Sequence, residues 1–423
     1  MRKFESYWEE FAAESQRVLL LQGPVGPFFL HFKNYLESTL SKTVYKINFN
    51  GGDAHYYPET EGAVNYTGAP KDFIPFLADF IKTHRIDAVV CFGDSRRYHD
   101  SARDYCVEEG VSFWAFEEGY LRPHYITFEK WGVNYSSKVE RDQKIYLDPT
   151  FKRVLKKGKC FKEERPVPVA SGLWKRACMA GGYYFGMWRQ RKQFPKYEHH
   201  REKRIRIYVS AWLSAFITTL QHRASDKKIT KAIESGSFDP FYIFPLQVHS
   251  DSQIRKHGRG RTVSQYIRRV VNSFALYAPE NCKLVIKHHP MDKGFSDYGK
   301  FIKELAKRKG VEDRVFYVLD IPMPVFLRNA KGMVVVNSTS GISALIHNLP
   351  VKVIGDAHYD IPGLTSTQQL ANFWHTPEAP NSAFVNNYLQ HLRIRTQLNG
   401  SFYYHELRVE EFVGSEPLGD DLK

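Results

Sequence analysis

Short apolar runs that close on Gly, Asn or Asp alternate along this chain with longer stretches of helical period, and that alternation leaves few folds open. In the first half RVLLLQ, KTVYKINFN, IDAVVCFGD and VSFWAFEEG read as buried strands, with FFLHFKNYLESTL and KDFIPFLADFIKTHR as helices between them. In the second half the strands are FYIFPLQV, KLVIKHHP, RVFYVLD, KGMVVVNS and VKVIGD. The helices are TVSQYIRRVVNSFALYAP, YGKFIKELAKRKG and SGISALIHNL. Strands apolar on both faces and separated by helices belong in parallel sheets covered on both sides. The 423 residues exceed one core and suit two domains of about 150 to 200 residues each. The expected fold is therefore α/β, with two Rossmann-like domains facing a central cleft. The expected boundaries are an N-terminal Rossmann-like domain over 1–170, a basic, aromatic helical connector over 171–235, a C-terminal Rossmann-like domain over 236–385 and a helical tail over 386–423.

Composition removes several classes of function. With 43% hydrophobic and 15% aromatic residues the chain has material for a sizeable core. Five widely spaced cysteines without a CxxC pair fit neither a disulfide framework nor a zinc ribbon, and point to a reducing compartment. The N-terminus MRKFESYWEEFAAES has acids where a signal peptide needs an apolar stretch, and no run of 18 apolar residues occurs. The formal charge of +14 is concentrated: Lys152 to Arg206 holds 17 Lys and Arg against four Glu. Trp174, Tyr183, Tyr184, Phe185, Met187 and Trp188 sit among those cations. Such a mixture suits anionic lipid headgroups, because cations attract phosphates and amphipathic rings settle at the interface. A solvated basic helix packed on its domain by the same aromatics fits equally well. No zinc finger or RNP-like run supports nucleic acid as a partner.

In open parallel sheets ligands bind beyond the C-terminal ends of the strands, so polar residues there come first. In VVVNSTSGISAL a strand runs into Asn337, Ser338, Thr339, Ser340 and Gly341 ahead of a helix, a setting for an anion; an ordinary N-cap needs only one of those hydroxyls. KLVIKHHPMD carries Lys287, His288 and His289 to a strand end before Pro290, and a histidine there either contacts a ligand or is structural. FPLQVHSDSQI puts Gln247, His249, Ser250 and Asp251 after a strand, where an aspartate acts as nucleophile or base, or caps a turn. FWAFEEGYLRP ends a strand on Glu117 and Glu118 with Arg122 nearby. That is an acid/base with a clamp for a carboxylate, or an internal Glu118–Arg122 ion pair.

Together and in this order, LLLQGPVGPFF, KINFNGGD, FEEGYLRP, PLQVHSD, KHHP and NSTSGISAL resemble the bacterial capsule-synthesis transferase family, in its KpsS-type branch, from about residue 18 to 360. The resemblance implies a GT-B-like fold and retaining transfer of Kdo from CMP-Kdo, in β-linkage, onto a phosphatidylglycerol-type lipid, an anionic glycerophospholipid. The product starts the poly-Kdo linker of a capsular polysaccharide. It implies a cytoplasmic protein, peripheral on the inner face of the cytoplasmic membrane, alongside other capsule synthesis and export proteins, with no metal or other cofactor. The related KpsC modules carry a Gln-x-x-x-Asp segment with a catalytic aspartate, so Gln247 and Asp251 take those places and Asp251 the nucleophile's role. Those modules usually read Glu-Asp-Gly where this chain has Glu117-Glu118-Gly119. Retention needs two inversions and hence a carboxylate nucleophile. Glu118 or Glu117 would then deprotonate the acceptor hydroxyl, Arg122 would meet the Kdo carboxylate, and His288, His289, Pro290 and the Asn337–Gly341 turn would hold the donor. A tether without catalysis, or a transferase for another CMP-sugar, is the alternative.

The loop in VLLLQGPVGPFF is no nucleotide loop, because Pro24 and Pro27 each remove an amide and neither GxGxxG nor a P-loop ending is present. It lies in the half that the resemblance gives to the acceptor. Gln22, Gly23 and Gly26, with Asn50, Gly51, Gly52 and Asp53, are therefore expected on the acceptor side.

Overall fold

The computed structural model describes residues 6–59, 62–148, 168–169, 172–198, 205–248 and 260–403. The chain divides into two compact units, one of Met1–Val139, Lys159–His200 and His391–Lys423, the other of Glu140–Gly158 and Arg201–Gln390.

The first unit is built on a seven-stranded sheet. Strands β1 (Arg17–Leu20), β2 (Thr43–Asn48), β3 (Ala63–Asn65), β4 (Ala88–Phe92) and β5 (Ser112–Glu118) are parallel, in the order β3-β2-β1-β4-β5. β6 (Tyr125–Lys130) returns antiparallel along β5, and the last described strand of the chain, β12 (Gln397–Asn399), pairs antiparallel with β6. The two-residue period of the strands sorts side chains into two cores. Val18, Leu20, Ala88, Val90, Trp114 and Phe116 face one; Leu19, Val89, Cys91, Phe113 and Ala115 face the other. Tyr7, Trp8 and Phe11 fill the first core from the helix Tyr7–Glu14, whose start is fixed by a reciprocal Ser6–Glu9 capping box. Phe28, Phe29 and Phe32 enter it from the helix Phe28–Ser38. Burying each of these rings is worth about 2–3 kcal/mol.

The second unit repeats the winding. β7 (Phe241–Pro245), β8 (Lys283–Lys287), β9 (Val315–Val318), β10 (Gly332–Val335) and β11 (Val351–Val353) form a wholly parallel sheet ordered β9-β8-β7-β10-β11. The helix Val263–Tyr277 covers it with Val263, Tyr266, Ile267, Val270, Val271 and Phe274, the spacing of one helical face. In both sheets the strand order reverses beside the first strand, between β1 and β4 and between β7 and β10. These are the two places where loops diverge and leave room for a ligand.

The segment 171–235 is not a separate connector. Residues 172–198 count with the first unit and 205–234 with the second, for a reason visible in their packing. The helix Leu173–Arg189 lies on the helix Gly51–Tyr56 through Gly51, Gly52, Gly182 and Gly186. The helix Ile205–Glu234 instead offers Asp226 to the amides of Leu319 and Asp320, at 3.1 and 2.7 Å. Likewise the tail is not helical throughout: after Ser382–Thr396 it re-enters the first sheet as β12, and 404–423 lie outside the described residues. Among the described residues no helix is long and apolar enough to cross a membrane.

Candidate active site

At the reversal point of the second sheet the loops after β7 and β10 meet. Gln247, two residues past β7, is buried, and its Oε1 accepts from the Asn337 amide at 3.4 Å. Past β10, Ser338 Oγ accepts from the Ser340 amide at 3.2 Å and lies 2.8 Å from Ser340 Oγ, while the Tyr359 hydroxyl donates to the Ser338 carbonyl. A Cβ on Gly341 would run into the Tyr359 ring, so glycine is required there for close packing. The polar run Asn337–Gly341 is thus a tight turn with Thr339 at the N-cap of the helix Ser340–Ile346. Thr339 itself makes no side-chain cap bond; the hydroxyl that accepts from a first-turn amide is that of Ser338.

β8, the neighbour of β7, delivers the other expected group. Lys287 is buried, its Nζ 3.4 Å from the Leu319 carbonyl, and burial lowers its pKa to about 8, with Lys293 adding to the effect. The two histidines differ in kind. His288 is buried against Tyr317, with Nδ1 2.7 Å from the hydroxyl, and burial holds its pKa below the usual value, keeping the ring neutral. His289 is half-buried, and its Nδ1 accepts from the Met291 amide at 3.1 Å, capping the turn Pro290–Asp292. A cavity of about 90 Å³ beside His288, Lys293, Ser296 and Tyr317 is too small for a nucleotide. Asp251, with His249 and Ser250, lies outside the described residues.

The first unit carries its polar side chains at the ends of β1, β2, β4 and β5. Gln22 follows β1 and is buried; its Nε2 faces Asp53 Oδ2 at 3.2 Å and the hydroxyls of Tyr183 and Tyr197 at 3.2 and 3.1 Å. Asn50 caps the helix Gly51–Tyr56 through the amides of Gly52 and Asp53 and donates to Tyr183 at 2.9 Å. Asp53 also accepts from the Phe49 amide and the Tyr183 hydroxyl, at 3.0 and 3.1 Å. Its charge partly offsets the burial that lowers the nearby Lys46 to about 8. Gln22, Asn50 and Asp53 are therefore brought together in one buried hydrogen-bonded group with Tyr183 and Tyr197. Gly51 and Gly52 serve instead the close approach of the helix Leu173–Arg189, since a Cβ on Gly52 would lie 2.7 Å from the Tyr183 ring. Gly26, with φ +118°, is required by the turn, and a Cβ on Gly23 would meet Phe29 at 2.9 Å.

Glu117 and Glu118 end β5. Glu117 Oε1 accepts from the Glu118 amide at 2.9 Å, and Glu118 Oε1 lies 3.4 Å from the Tyr403 hydroxyl. Arg122 is exposed and donates to the Gly119 carbonyl at 3.1 Å rather than pairing with Glu118. Sequence reasoning missed Arg96, in the loop after β4. Its Nη1 donates to Gln22 Oε1 at 2.9 Å, and its guanidinium lies 5.3 Å from the Phe92 ring centre. The signal in the sequence is its place just beyond the strand end of IDAVVCFGD; that this loop stands at the reversal point is known only from the strand order.

The family model for the capsule polysaccharide biosynthesis protein matches residues 87–403. The chain belongs to that family. The match takes in Arg96, Glu117, Glu118 and the Gln247, His289 and Asn337–Gly341 loops, and leaves out the Gln22 and Asp53 loops. The chain is 44% identical over 399 residues to the capsule polysaccharide modification protein LipB of Neisseria meningitidis serogroup A, covering 92% of both chains. It is 39% identical to the capsule polysaccharide export protein KpsS of Escherichia coli, over 92% of this chain and 97% of that one. Among solved structures it is similar to the β-Kdo 2,7 transferase of Thermosulfurimonas dismutans KpsC, at a TM-score of 0.38 and 13% identity over 88% and 89% of the two chains. It is also similar to the lipopolysaccharide outer core galactosyltransferase WaaB, at 0.37 and 9% over 94% and 99%. At such scores these two likenesses add nothing to the strand orders described above.

Proposed function

We propose that this chain is a GT-B-like, retaining glycosyltransferase that moves Kdo from CMP-Kdo, in β-linkage, onto a phosphatidylglycerol-type lipid and so starts the linker of a capsular polysaccharide. The donor belongs to the second unit and the acceptor to the first. The observation that carries the reading is the meeting of Gln247 with the Asn337–Gly341 turn at the reversal point of the second sheet. Membership of the capsule polysaccharide biosynthesis family supports it. In this scheme the Asp251 carboxylate attacks the anomeric carbon of Kdo as the bond to the CMP oxygen breaks. The acceptor hydroxyl then displaces Asp251 and passes its proton to Glu118 or Glu117. His289 and the Ser338–Gly341 turn hold the departing phosphate, and Arg122 is the candidate for the Kdo carboxylate.

Incubating purified protein with CMP-Kdo and lysophosphatidylglycerol is expected to release CMP and yield a glycolipid, with CMP competing for the donor and UDP not. Absence of both products would favour the non-catalytic tether.

The same proposal puts the protein on the inner face of the cytoplasmic membrane. The helix Leu173–Arg189 has two opposed apolar stripes. Met179, Tyr183 and Gly186 are buried, whereas Trp174, Phe185 and Trp188 are 82%, 51% and 54% exposed, with Arg189, Arg191 and Lys192 close by in sequence. Rings and cations in that arrangement suit an anionic bilayer. Binding to vesicles containing phosphatidylglycerol is expected to fall with salt, and to fall on the order of 10-fold when Trp174, Phe185 and Trp188 are all replaced by Ala. Undiminished, salt-independent binding of that variant would count against the membrane reading.

A further inference from the structure

The arginines around the start of the helix Arg97–Glu109 are not equivalent. Arg97 is paired with Glu198, and Arg103 reaches Asp100 and Asp104 at 2.9 and 3.0 Å. Arg96 pairs with no carboxylate among the described residues. Its partners are neutral: the Gln22 amide oxygen at 2.9 Å, the Gly23 carbonyl at 3.4 Å and the Phe92 ring. Both hydrogen bonds use Nη1, so Nη2 and Nε of the planar fork have no acceptor among the described residues. Of the buried acids in this region, Asp53 is engaged by the Phe49 amide, Asn50, Gln22 and Tyr183, and Asp94 by the Ser95 hydroxyl, the Val133 amide and Arg103.

Arg96 is also held in place. Gln22 is gripped at both ends of its amide, donating to Asp53 and the two tyrosines while accepting from Arg96, so the amide cannot flip without losing the set. The ring of Phe92 supports the guanidinium on a second side. Gly93 follows with φ +71°, and a Cβ built there would sit 4.0 Å from Arg96 Nε and 3.7 Å from Glu117 Oε2, so the arginine and the glutamate flank the same small residue. This is the reversal point of the first sheet, between β1 and β4. Arg96 stands at the N-cap of its 13-residue helix, and no side chain fills that cap.

We infer that Arg96 is a binding residue for an oxyanion of the substrates, a phosphate of the lipid acceptor or the carboxylate of the transferred sugar, docked beside Glu117. An unpaired, preoriented guanidinium fork suits both. The identity of the ligand rests on the transferase reading; the existence of an anion site does not.

The test therefore has one arm without turnover. Wild-type protein titrated with glycerol 3-phosphate, followed by ligand-observed NMR, is expected to bind, and Arg96→Gln to bind at least about 10-fold more weakly, with Arg96→Lys between them. Far-UV circular dichroism and the denaturant midpoint should agree in all three, which checks that the variants are folded. In the turnover arm, a rise in KM for lysophosphatidylglycerol with KM for CMP-Kdo unchanged assigns the anion to the acceptor, and the reverse assigns it to the sugar carboxylate. No detectable binding by the wild type, or equal binding by a folded Arg96→Gln protein, overturns the inference whether or not the protein turns over CMP-Kdo.

Discussion

Replacing Asp251 with alanine is expected to reduce glycosyl transfer by on the order of 10⁴-fold while leaving CMP affinity near its wild-type value. The expectation follows from the proposed scheme, in which transfer proceeds with retention. Departure of CMP leaves an electron-poor anomeric carbon beside a fixed carboxylate, and a carboxylate nucleophile gives the first inversion a covalent stopping point. Asp251 stands four residues after Gln247, which the structure puts at the reversal point of the second sheet. CMP affinity should survive, because the scheme assigns the nucleotide to His289 and the Ser338–Gly341 turn. The same scheme predicts that removing the base makes the second step slow. Glu117→Gln or Glu118→Gln, whichever bears the role, should let a covalent Kdo adduct accumulate, read as added mass on the intact protein. Transfer by Asp251→Ala at more than a hundredth of the wild-type rate would eliminate Asp251 as nucleophile.

Gly51→Val is expected to destabilise the first unit by about 3 kcal/mol or more. A Cβ at Gly51 overlaps the Gly186 carbonyl oxygen and lies 2.6 Å from Gln190 Cβ, and the converse Cβ on Gly186 would lie 2.6 Å from the Gly51 oxygen. Backbone facing backbone offers no rotamer by which the clash is relieved, so the helix Leu173–Arg189 must move away. Movement withdraws the Tyr183 hydroxyl from Asp53, Asn50 and Gln22, leaving buried polar groups without partners. Gly181→Ala on the same helix is the control. Nothing lies within 4 Å of its Cβ, so the better helix propensity of alanine should stabilise by up to about 1 kcal/mol. Denaturant unfolding separates the two; equal effects would mean that the helix contact contributes little.

The elements legible in the sequence are those whose signal is local. All nine expected strands form, because an apolar run bounded by Gly, Asn or Asp is a property of six or so adjacent residues. The three unanticipated strands, β3, β6 and β12, are two of three residues and one antiparallel strand of six, and depend on neighbours for their pairing. The helix Tyr7–Glu14, absent from the elements expected, has its own local signal in Tyr7, Trp8 and Phe11, which are spaced for one buried face. In VLLLQGPVGPFF the strand, the turn and the helix start were legible, but the two phenylalanines that close it are core.

By itself, then, the chain's order of strands, helices and polar loop residues determined two parallel α/β units and the strand-end loops that carry their polar side chains. Only the tertiary structure decided the strand order, which side chains of the basic, aromatic segment face inward, and that Arg96 pairs with no carboxylate among the described residues. Tyr183 is buried at 5% exposure, while Trp188, five residues on, stays exposed. Gln22 reaches Tyr183 across 161 residues and Arg96 across 74. Bonds between residues so far apart leave no period in the sequence, and burial is decided by what the rest of the chain brings to the other side.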